Sequence, residues 1–421
     1  MDHRLHVEQS GEFDAATSCR PLHISATSTE PIPEAFIMRM SVIISALVAV
    51  LVGFGGSVAI ILSAADALGA TEGQKATWIT VLCLSMLATT AILSIRHRLP
   101  IVTAWSTPGA AVLAGVSATS MEVATGAFIL AALMLIATGL IPALERAVAR
   151  IPGEVASAML AGVLFAFVAQ AALVIPGAEA LVLPLLALFF VVRAFSPIWA
   201  VLAVLALGVL LAIILGMADP VWQGGLPPMQ PIVPEFSAGA ALGIALPLYL
   251  VTMASQNLPG FAVLRASGYP VPGRSILTVT GIASLISAPW GAHSTNLAAI
   301  TASICTGPDA HPDPAKRWLC GPVYALGYGA IALVAMPLVL LFASFPPALI
   351  AVVAGVALLG PFIGSLSGAL SSGAHGAPAA VTFVVTASGL SLMGIGAAFW
   401  GLVAGLALVG VEAARARLRR A

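Results

Sequence analysis

Charged side chains are scarce in this sequence. Only 8% of its 421 residues are Asp, Glu, Lys or Arg, 60% are hydrophobic, and the formal net charge is zero. A soluble domain of this length needs a more polar surface, and a nucleic-acid-binding protein needs a basic one. The composition therefore excludes a soluble globular protein, gives no reason to expect a nucleic-acid partner, and predicts that lipid is the main solvent.

Cysteine pairs and catalytic motifs are absent as well. Cys19, Cys83, Cys305 and Cys320 form no CxxC pair, so we expect small buried hydrophobes rather than disulfides or a zinc site. No P-loop, HExxH, kinase or nucleophile-elbow pattern occurs. A membrane-embedded enzyme would need a cluster of acids, His or Cys, which is missing. We therefore expect no enzyme, no cofactor and no metal, and a transport process driven by a gradient.

Long apolar runs fill most of the remaining chain. Residues 1–36 are polar, mixed in charge and without an apolar signal-peptide core, which predicts a disordered cytoplasmic tail. The runs beyond them are mostly long enough for membrane-crossing helices, since a crossing takes about 20 apolar residues. The fourteen predicted segments are 41–65, 75–95, 102–118, 123–144, 155–175, 180–194, 197–217, 238–258, 274–290, 293–305, 319–343, 346–368, 377–391 and 394–412.

The distribution of basic residues predicts the orientation. With fourteen crossings and a cytoplasmic N-terminus, every Lys and Arg except Lys75 falls on the cytoplasmic side. Positive residues near helix ends favour the cytoplasm. Both termini are therefore expected to be cytoplasmic, in a membrane of the bacterial inner-membrane type.

The third and tenth segments share a pattern. They read IVTAWSTPGAAVLAG (101–115) and LISAPWGAHSTNLAAITAS (285–303), each with a Trp, a Ser-Thr pair and a small-residue helix. Aligning the two Ser-Thr pairs, 106–107 and 294–295, predicts an internal repeat. Because seven segments separate the two elements, the halves are expected to be inverted in the membrane.

Both elements are predicted to contain helix starts within the bilayer. Thr107 suits an N-cap and Pro108 a first helical position, while Ser294 or Thr295 can cap the second helix. A helix N-terminus carries partial positive charge, so two of them facing each other predict a carboxylate site without Arg or Lys. The alternative is that the Ser-Thr-Pro-Gly sequence only kinks a packed helix.

Four motifs together resemble the benzoate/proton symporter (BenE) family: GFGGS (53–57), AWSTPGAA (104–111), TMASQNLPG (252–260) and the run from Ala288 to Pro314. The resemblance covers nearly the whole membrane region and is most specific in the last run. It implies the all-α architecture of nucleobase/ascorbate-type (UraA-like) transporters, with fourteen segments in two inverted sevens. Two half-helices, in the third and tenth segments, would each follow a short extended strand. The implied division is a tail (1–36), a core domain (37–146 and 237–344) and a gate domain (147–236 and 345–421).

The function implied by the resemblance is import of benzoate, or a similar small aromatic carboxylate, together with protons. Movement of the core domain against the gate domain would expose the substrate to each side of the membrane alternately. Related architectures also form homodimers, so a homodimer is an option. Transport of nucleobases or inorganic anions, and an anion channel, stay open as alternatives. Nucleobase relatives are expected to carry acids in segments 8 and 10, where this chain has Gln256, Asn257 and Asn296.

The candidate site residues follow from these motifs. His293 is the first choice for proton coupling and Asp66 the second, although His293 can equally cap backbone groups and Asp66 can be an ordinary loop-facing acid. Rings for an aromatic solute could come from Phe54, Trp105, Tyr249, Phe261 or Trp290, which can also pack between helices or lie at the headgroups. The predicted substrate-binding residues are Gly55, Ser106, Thr107, Tyr249, Gln256, Asn257, Ser294, Thr295 and Asn296.

One polar loop offers a metal site as an alternative to an ordinary turn. Asp309, His311 and Asp313 alternate in the loop after the tenth segment. Their interrupting prolines and the adjacent basic pair at 316–317 favour a solvated, turn-rich loop.

Overall fold

The computed structural model consists of helices and one pair of short strands. It describes residues 34–116, 119–141, 143–144, 151–218, 225–371, 375–392 and 395–418. The predicted tail, 1–36, lies outside the described residues except for its last three, which are helical. The first helix therefore begins earlier than the predicted tail ends.

Helices dominate both halves of the chain. The described elements of the first half are α1 (Glu34–Gly55), α2 (Val58–Ala67), α3 (Glu72–His97), β1 (Thr103–Trp105), α4 (Thr107–Ala114), α5 (Met121–Leu140), α6 (Gly153–Leu173), α7 (Glu179–Phe195) and α8 (Pro197–Ile214). Those of the second half are α9 (Ala238–Ala266), α10 (Gly273–Ser287), β2 (Thr295–Leu297), α11 (Ile300–Thr306), α12 (Cys320–Leu333), α13 (Ala335–Ala343), α14 (Pro347–Ala369), α15 (Gly376–Ala387) and α16 (Ala397–Leu418).

Some of these helices are long enough to cross a membrane. Within the described residues, seven helical stretches are long and apolar enough to cross a bilayer, counting α1 and α2 together from Met40. The α12–α13 pair, bent by 61°, raises the number to eight. The structure is thus a largely helical membrane-type protein, as predicted, and the count of fourteen crossings stays a prediction.

Helix α9 contains two π-helical turns, each placed just before a proline. The turns span Ala241–Ala245 and Met253–Asn257, and Pro247 and Pro259 follow them. Proline has no N–H to donate to the carbonyl four residues earlier, and a π turn accommodates that missing bond. The second turn lies within the TMASQNLPG motif and contains its Ser-Gln-Asn residues.

Two groups of helices are distinguished by their packing. In the first group, α5 packs on α10, and α12 packs on α3. Helix α4 packs on both α2 and α9, and α11 packs on α1. In the second group, α6 packs on α14, α15 and α16, and α7 packs on α8. The groups meet where α1 contacts α8, α4 and the second π turn contact α6, and α2 contacts α14.

Packing within the first group is reciprocal between the two halves of the chain. The fourth predicted segment (α5) packs on the ninth (α10), and the eleventh (α12–α13) packs on the second (α3). The third segment contacts the eighth and the tenth contacts the first in the same way. Each half therefore completes the packing of the other.

The strands β1 and β2 pair antiparallel and precede the short helices α4 and α11. The register opposes Thr103 to Leu297, Ala104 to Asn296 and Trp105 to Thr295. The predicted alignment of the two Ser-Thr pairs is therefore wrong, because one pair follows its strand while Thr295 begins the other strand.

The predicted helix caps are also wrong in both elements. Ser106 is the N-cap of α4, accepting a hydrogen bond from Gly109 N, so Thr107 and Pro108 are its first two residues. Thr295 is extended, and α11 begins only at Ile300 without a side-chain cap. Side-chain acceptors from two neighbouring helices bind the backbone of β2. The chain therefore stays extended beyond the residue at which the second helix was predicted to begin.

Candidate substrate site at the crossing strands

The backbone of β2 is held by side chains of two neighbouring helices. In a strand, successive N–H groups point to opposite sides, so those of Thr295 and Leu297 point away from β1. Ser284 Oγ of α10 accepts from Thr295 N at 2.8 Å, and Asn257 Oδ1 accepts from Leu297 N at 3.0 Å. Irregular backbone at membrane depth requires such partners, since no water is present to supply them.

Hydroxyl groups hold β1 in the same manner. Thr103 N donates to Thr90 Oγ1 at 3.0 Å, and the Thr103 carbonyl accepts from the Tyr324 hydroxyl at 2.9 Å. The Thr103 hydroxyl lies 2.7 Å from those of Thr89 and Thr90, and Ser94 donates to a carbonyl two residues before the strand. One face of α3 therefore serves as a hydroxyl support for β1.

The two faces of the strand pair differ in their surroundings. Thr295 directs its hydroxyl to Ser85 of α3, 2.7 Å away, so this face is closed by α3. On the opposite face Asn296 is paired with Ala104, the one half-buried residue of β1. Strand alternation also directs Ser294 to the side of Asn296. Accessible space therefore borders the face that carries Ala104.

Four polar side chains of the strand pair and its flanking elements carry a polar atom without a hydrogen-bond partner among the described residues. Ser294 Oγ and Asn296 Oδ1 are buried and unpaired, although Asn296 Nδ2 donates to the Leu297 carbonyl at 2.9 Å. The Thr107 hydroxyl and the Gln256 amide are also without a partner in the described part of the chain. Unpaired buried polar groups are costly, so a ligand or water is expected to satisfy Ser294 Oγ and Asn296 Oδ1.

Thr107 and Gln256 lie where the two helix groups meet. Thr107 is the first residue of α4, a helix that packs against α6. Gln256 belongs to the second π turn of α9, which contacts both β2 and α6. The helix start that carries Thr107 and the π turn that carries Gln256 thus both contact α6 of the second helix group.

Ser106 links three elements at the start of α4. Its Oγ accepts from Gly109 N at 3.1 Å and from the Thr252 hydroxyl of α9 at 2.8 Å. Its carbonyl lies 2.9 Å from His293 Nε2. Ser106 is fully buried. Its contacts fix the position of the Thr107 residue that follows it.

His293 is fully buried, with both ring nitrogens engaged. The Trp78 indole N–H donates to Nδ1 at 3.2 Å, so Nδ1 is unprotonated and Nε2 carries the proton given to the Ser106 carbonyl. The Trp78 and Phe128 rings enclose the imidazole, with centroids 5.7 and 6.4 Å away. The imidazole is therefore neutral and holds the start of α4. His293 itself lies two residues before β2, and not directly before a helix as predicted from the sequence.

Three other predicted residues have neighbours of their own. The Tyr249 hydroxyl lies 2.6 Å from that of Thr138 on α5, so the polar atom of Tyr249 already has a hydrogen-bond partner. Gly55 faces α8, where an added Cβ would lie 2.5 Å from Leu202. Asp66 is mostly exposed and forms an ion pair with Lys75.

Lys75 is the centre of that cluster. It is buried and also contacts Glu72 at 2.6 Å. The cluster joins the end of α2 to the start of α3.

Among the candidate rings, Phe54 combines partial exposure with proximity to the strands. Its centroid lies 5.7 Å from that of Trp105, whose indole N–H donates to Ser57 Oγ at 2.7 Å. Phe261 is buried near the start of α10, and Trp290 donates to the Met229 carbonyl. Phe54 is therefore a partly buried candidate ring that lies next to the Trp105 side chain of β1.

The loop after α11 is held by its own side chains. His311 Nδ1 accepts from Asp313 N at 2.9 Å, and Asp313 Oδ1 accepts from Ala315 N. The buried Arg317 guanidinium donates to the carbonyls of Thr306 and His311. No group of three or more metal-binding side chains occurs in the described residues.

The described cysteines have a simple environment. Cys83, Cys305 and Cys320 are buried and free, as predicted from their apolar surroundings. Cys19 lies outside the described residues.

Sequence reasoning missed the residues that support the strands and His293. They are Trp78, Ser85, Thr89, Thr90, Ser94, Ser284 and Tyr324. The spacing of the α3 hydroxyls, four or five residues apart on one helical face, was the available signal.

The relatives of this chain include a membrane transport protein and an inner membrane protein. A family model described as "Benzoate membrane transport protein" matches residues 37–411. The inner membrane protein YdcO of Escherichia coli (strain K12) is 40% identical over 367 residues, covering 86% of this chain and 93% of that protein. The benzoate membrane transport protein of Acinetobacter baylyi is 35% identical over 371 residues, covering 87% and 94%.

Solved structures share the fold at low sequence identity. The transmembrane domain of the cyanobacterial bicarbonate transporter BicA matches with a TM-score of 0.57 and 18% identity, covering 88% of this chain and 98% of that one. SLC26A9 matches with a TM-score of 0.61 and 14% identity, covering 88% and 65%. With the family match over residues 37–411 and the two homologous sequences, the chain belongs to the benzoate membrane transport protein (BenE) family, a family of integral membrane transporters rather than enzymes.

Proposed function

We propose that this protein imports benzoate, or a similar small aromatic carboxylate, together with protons as a secondary active transporter. The observation that carries the proposal is the set of unpaired polar groups beside the strand crossing, Thr107, Gln256, Ser294 and Asn296. The benzoate transporter of Acinetobacter baylyi, 35% identical along nearly its whole length, supports the choice of substrate.

The proposed binding mode pairs a polar end with an apolar slot. Thr107 and Ser294 hydroxyls and the Gln256 amide would donate to the carboxylate. Asn296 Oδ1 can only accept, so it suits the proton of a protonated carboxyl group. Phe54 and the small Ala104 would border the aromatic ring. Ser106, Asn257, Thr295 and His293 would act by positioning these groups, because their polar atoms already bind the surrounding backbone or side chains.

The start of α4 alone cannot supply the anion site expected from the sequence. Pro108 has no N–H, and Gly109 N and Ala110 N already donate to Ser106. Only the Thr107 N–H is left in its first turn. The side-chain donors of Thr107 and Gln256 are therefore central to the proposed mode.

Alternating access would come from movement between the two helix groups. We propose that the first group is the core domain and the second the gate domain, with the predicted boundaries at 146, 236 and 344. Reciprocal packing of the halves supports two inverted seven-segment repeats. The distribution of Lys and Arg supports placing both termini in the cytoplasm. Gly55 would provide the close approach of α1 to α8 along which the groups move. A homodimer stays part of the proposal on the strength of the resemblance.

Proton coupling is assigned to His293, with Asp66 as an outer acid. Protonation of His293 Nδ1 would displace the Trp78 N–H, and any resulting shift of Nε2 would loosen the Ser106 carbonyl. Such a change would connect proton binding to the start of α4. Exchange of Asp66 for Asn is expected to have the smaller effect, since Asp66 is exposed and ion-paired.

Uptake of radiolabelled benzoate into proteoliposomes tests the proposal. Benzoic acid crosses lipid unaided, so protein-free liposomes give the baseline. An inward proton gradient should accelerate uptake above that baseline, and the His293→Ala variant should lose the acceleration. No protein-dependent uptake would contradict the substrate assignment.

Inorganic-anion transport is the second candidate, favoured by the fold likeness to a bicarbonate transporter. Excess bicarbonate, sulfate or uracil should leave benzoate uptake unchanged if the aromatic-acid proposal is right. Competition by bicarbonate or sulfate would favour the inorganic-anion alternative, and competition by uracil would favour a nucleobase.

A further inference from the structure

A groove opens on the outer surface of the first helix group, at one end of the bundle. Its volume is about 680 Å³, and it lies between the end of α5 and the start of α10. Leu140, Val271, Pro272 and Val279 give it a mostly apolar lining, and Arg274 and Ser275 form its polar part. The groove therefore combines an apolar channel with a cationic end.

Three helix ends place this groove at the level of the lipid headgroups. Helix α3 ends at His97, α5 ends at Leu140 and α10 begins at Gly273. His97 Nε2 lies 2.9 Å from Ser275 Oγ, which joins the first and third of these ends. The polar part of the groove thus lies where apolar helices meet the aqueous phase.

The groove continues an apolar outer face of the same two helices. Leu133 of α5 and Ile282 and Ile286 of α10 are exposed. In a membrane protein, exposed apolar side chains on adjacent helices are solvated by acyl chains. An acyl chain that covers this face can enter the groove from the membrane side.

One positive charge lies at the polar end. Arg274 is exposed, and none of the ion pairs in the described residues involves it. Pro272 provides no side-chain cap to α10, so the first N–H groups of this 15-residue helix have no side-chain partner among the described residues. A phosphate group would complement this charge.

We propose that the groove binds an anionic phospholipid. Its phosphate contacts Arg274 and the start of α10, and an acyl chain lies along Leu140 and Val279. The site is separate from the strand crossing and does not depend on which solute is transported. The bound lipid ties α5 to α10, and so joins the two halves of the first helix group at the membrane surface.

Native mass spectrometry of the full chain in detergent, titrated with phosphatidylglycerol or phosphatidylcholine, tests this proposal. Phosphatidylglycerol should bind in preference, and Arg274→Gln should weaken it about fivefold, the effect of about one basic contact. Arg265→Gln is the matched control, because Arg265 is also exposed near a helix end but does not line the groove. Equal binding of both lipids, or equal loss in both variants, would overturn the proposal.

A second pair of variants tests the apolar part. Leu140→Trp should fill the groove and cause loss of the bound phosphatidylglycerol, whereas Leu133→Trp, two turns away on the same helix, should leave it bound. Inorganic phosphate in excess should not displace the lipid. Displacement by phosphate, or retention of the lipid in Leu140→Trp, would contradict a phospholipid groove.

Discussion

Replacement of Ser284 by Ala removes one of the two side-chain acceptors that hold β2. Ser284 Oγ accepts from Thr295 N at 2.8 Å and donates to the carbonyl of Thr280 at 2.8 Å. The alanine fits the same space, since it only removes an oxygen. The Thr295 N–H is then buried and has lost its partner.

The expected loss can be worked out from that orphaned group. A buried donor left unsatisfied costs about 1–3 kcal/mol, and the lost Thr280 contact adds little because that carbonyl lies within a helix. We expect a decrease of about 2 kcal/mol in the free energy of unfolding, equivalent to roughly a 30-fold change in the unfolding equilibrium.

Unfolding of the purified protein by titration with SDS in mixed micelles measures this difference. Ser287→Ala is the matched control, since Ser287 lies on the same helix, is equally buried and only donates to the Ser284 carbonyl. The control should change the free energy of unfolding by less than about 0.5 kcal/mol. Equal effects of the two substitutions would refute the role of Ser284 as a strand support.

Three further changes have defined outcomes. Gly55→Val should slow benzoate uptake more than tenfold while benzoate binding persists, because its side chain would meet Leu202; unchanged uptake would contradict close approach there. Asn257→Leu should lower the free energy of unfolding in SDS by about 2 kcal/mol, because it also orphans a strand N–H; a neutral result would argue against that bond. Arg317→Gln should lower the free energy of unfolding by at least about 2 kcal/mol in the same titration, because it loses the buried contacts to two carbonyls. Lys316→Gln loses only an exposed ion pair and should lower it by less than about 1 kcal/mol. Equal effects would contradict the loop contacts.

Composition and apolar run length sufficed to predict a polytopic helical membrane protein. A crossing helix must satisfy its own backbone in lipid, so long apolar runs bounded by charges and Pro have few other solutions. The motif from Ala288 to Pro314 was specific enough to predict the family that the comparisons confirm.

The local structure of the tenth segment could not be predicted in the same way. Ser294-Thr295 resembles a helix cap, and that local preference is overridden by tertiary contacts. Ser284, eleven residues before Thr295, and Asn257, on another helix, hold the chain extended. Neither distance along the chain nor residue type identifies such partners.

The candidate site residues differ in what their polar atoms contact. Asn257 and Tyr249 are unusual polar residues in an apolar helix, and polarity alone could not distinguish a ligand contact from a backbone or hydroxyl partner. The structure assigns the first to Leu297 N and the second to Thr138. Gln256, adjacent to Asn257, is left free by the π turn, a geometry that a regular helical period does not predict.

The most direct test of the proposed site is benzoate binding to the purified full chain by isothermal titration calorimetry, comparing Gln256→Leu with Tyr249→Phe. Loss of one hydrogen bond to a carboxylate is expected to weaken binding by about tenfold or more in Gln256→Leu, while Tyr249→Phe, which affects only the contact to Thr138, leaves the dissociation constant unchanged. Full affinity in Gln256→Leu, or a selective loss in Tyr249→Phe, would contradict a substrate site at the strand crossing.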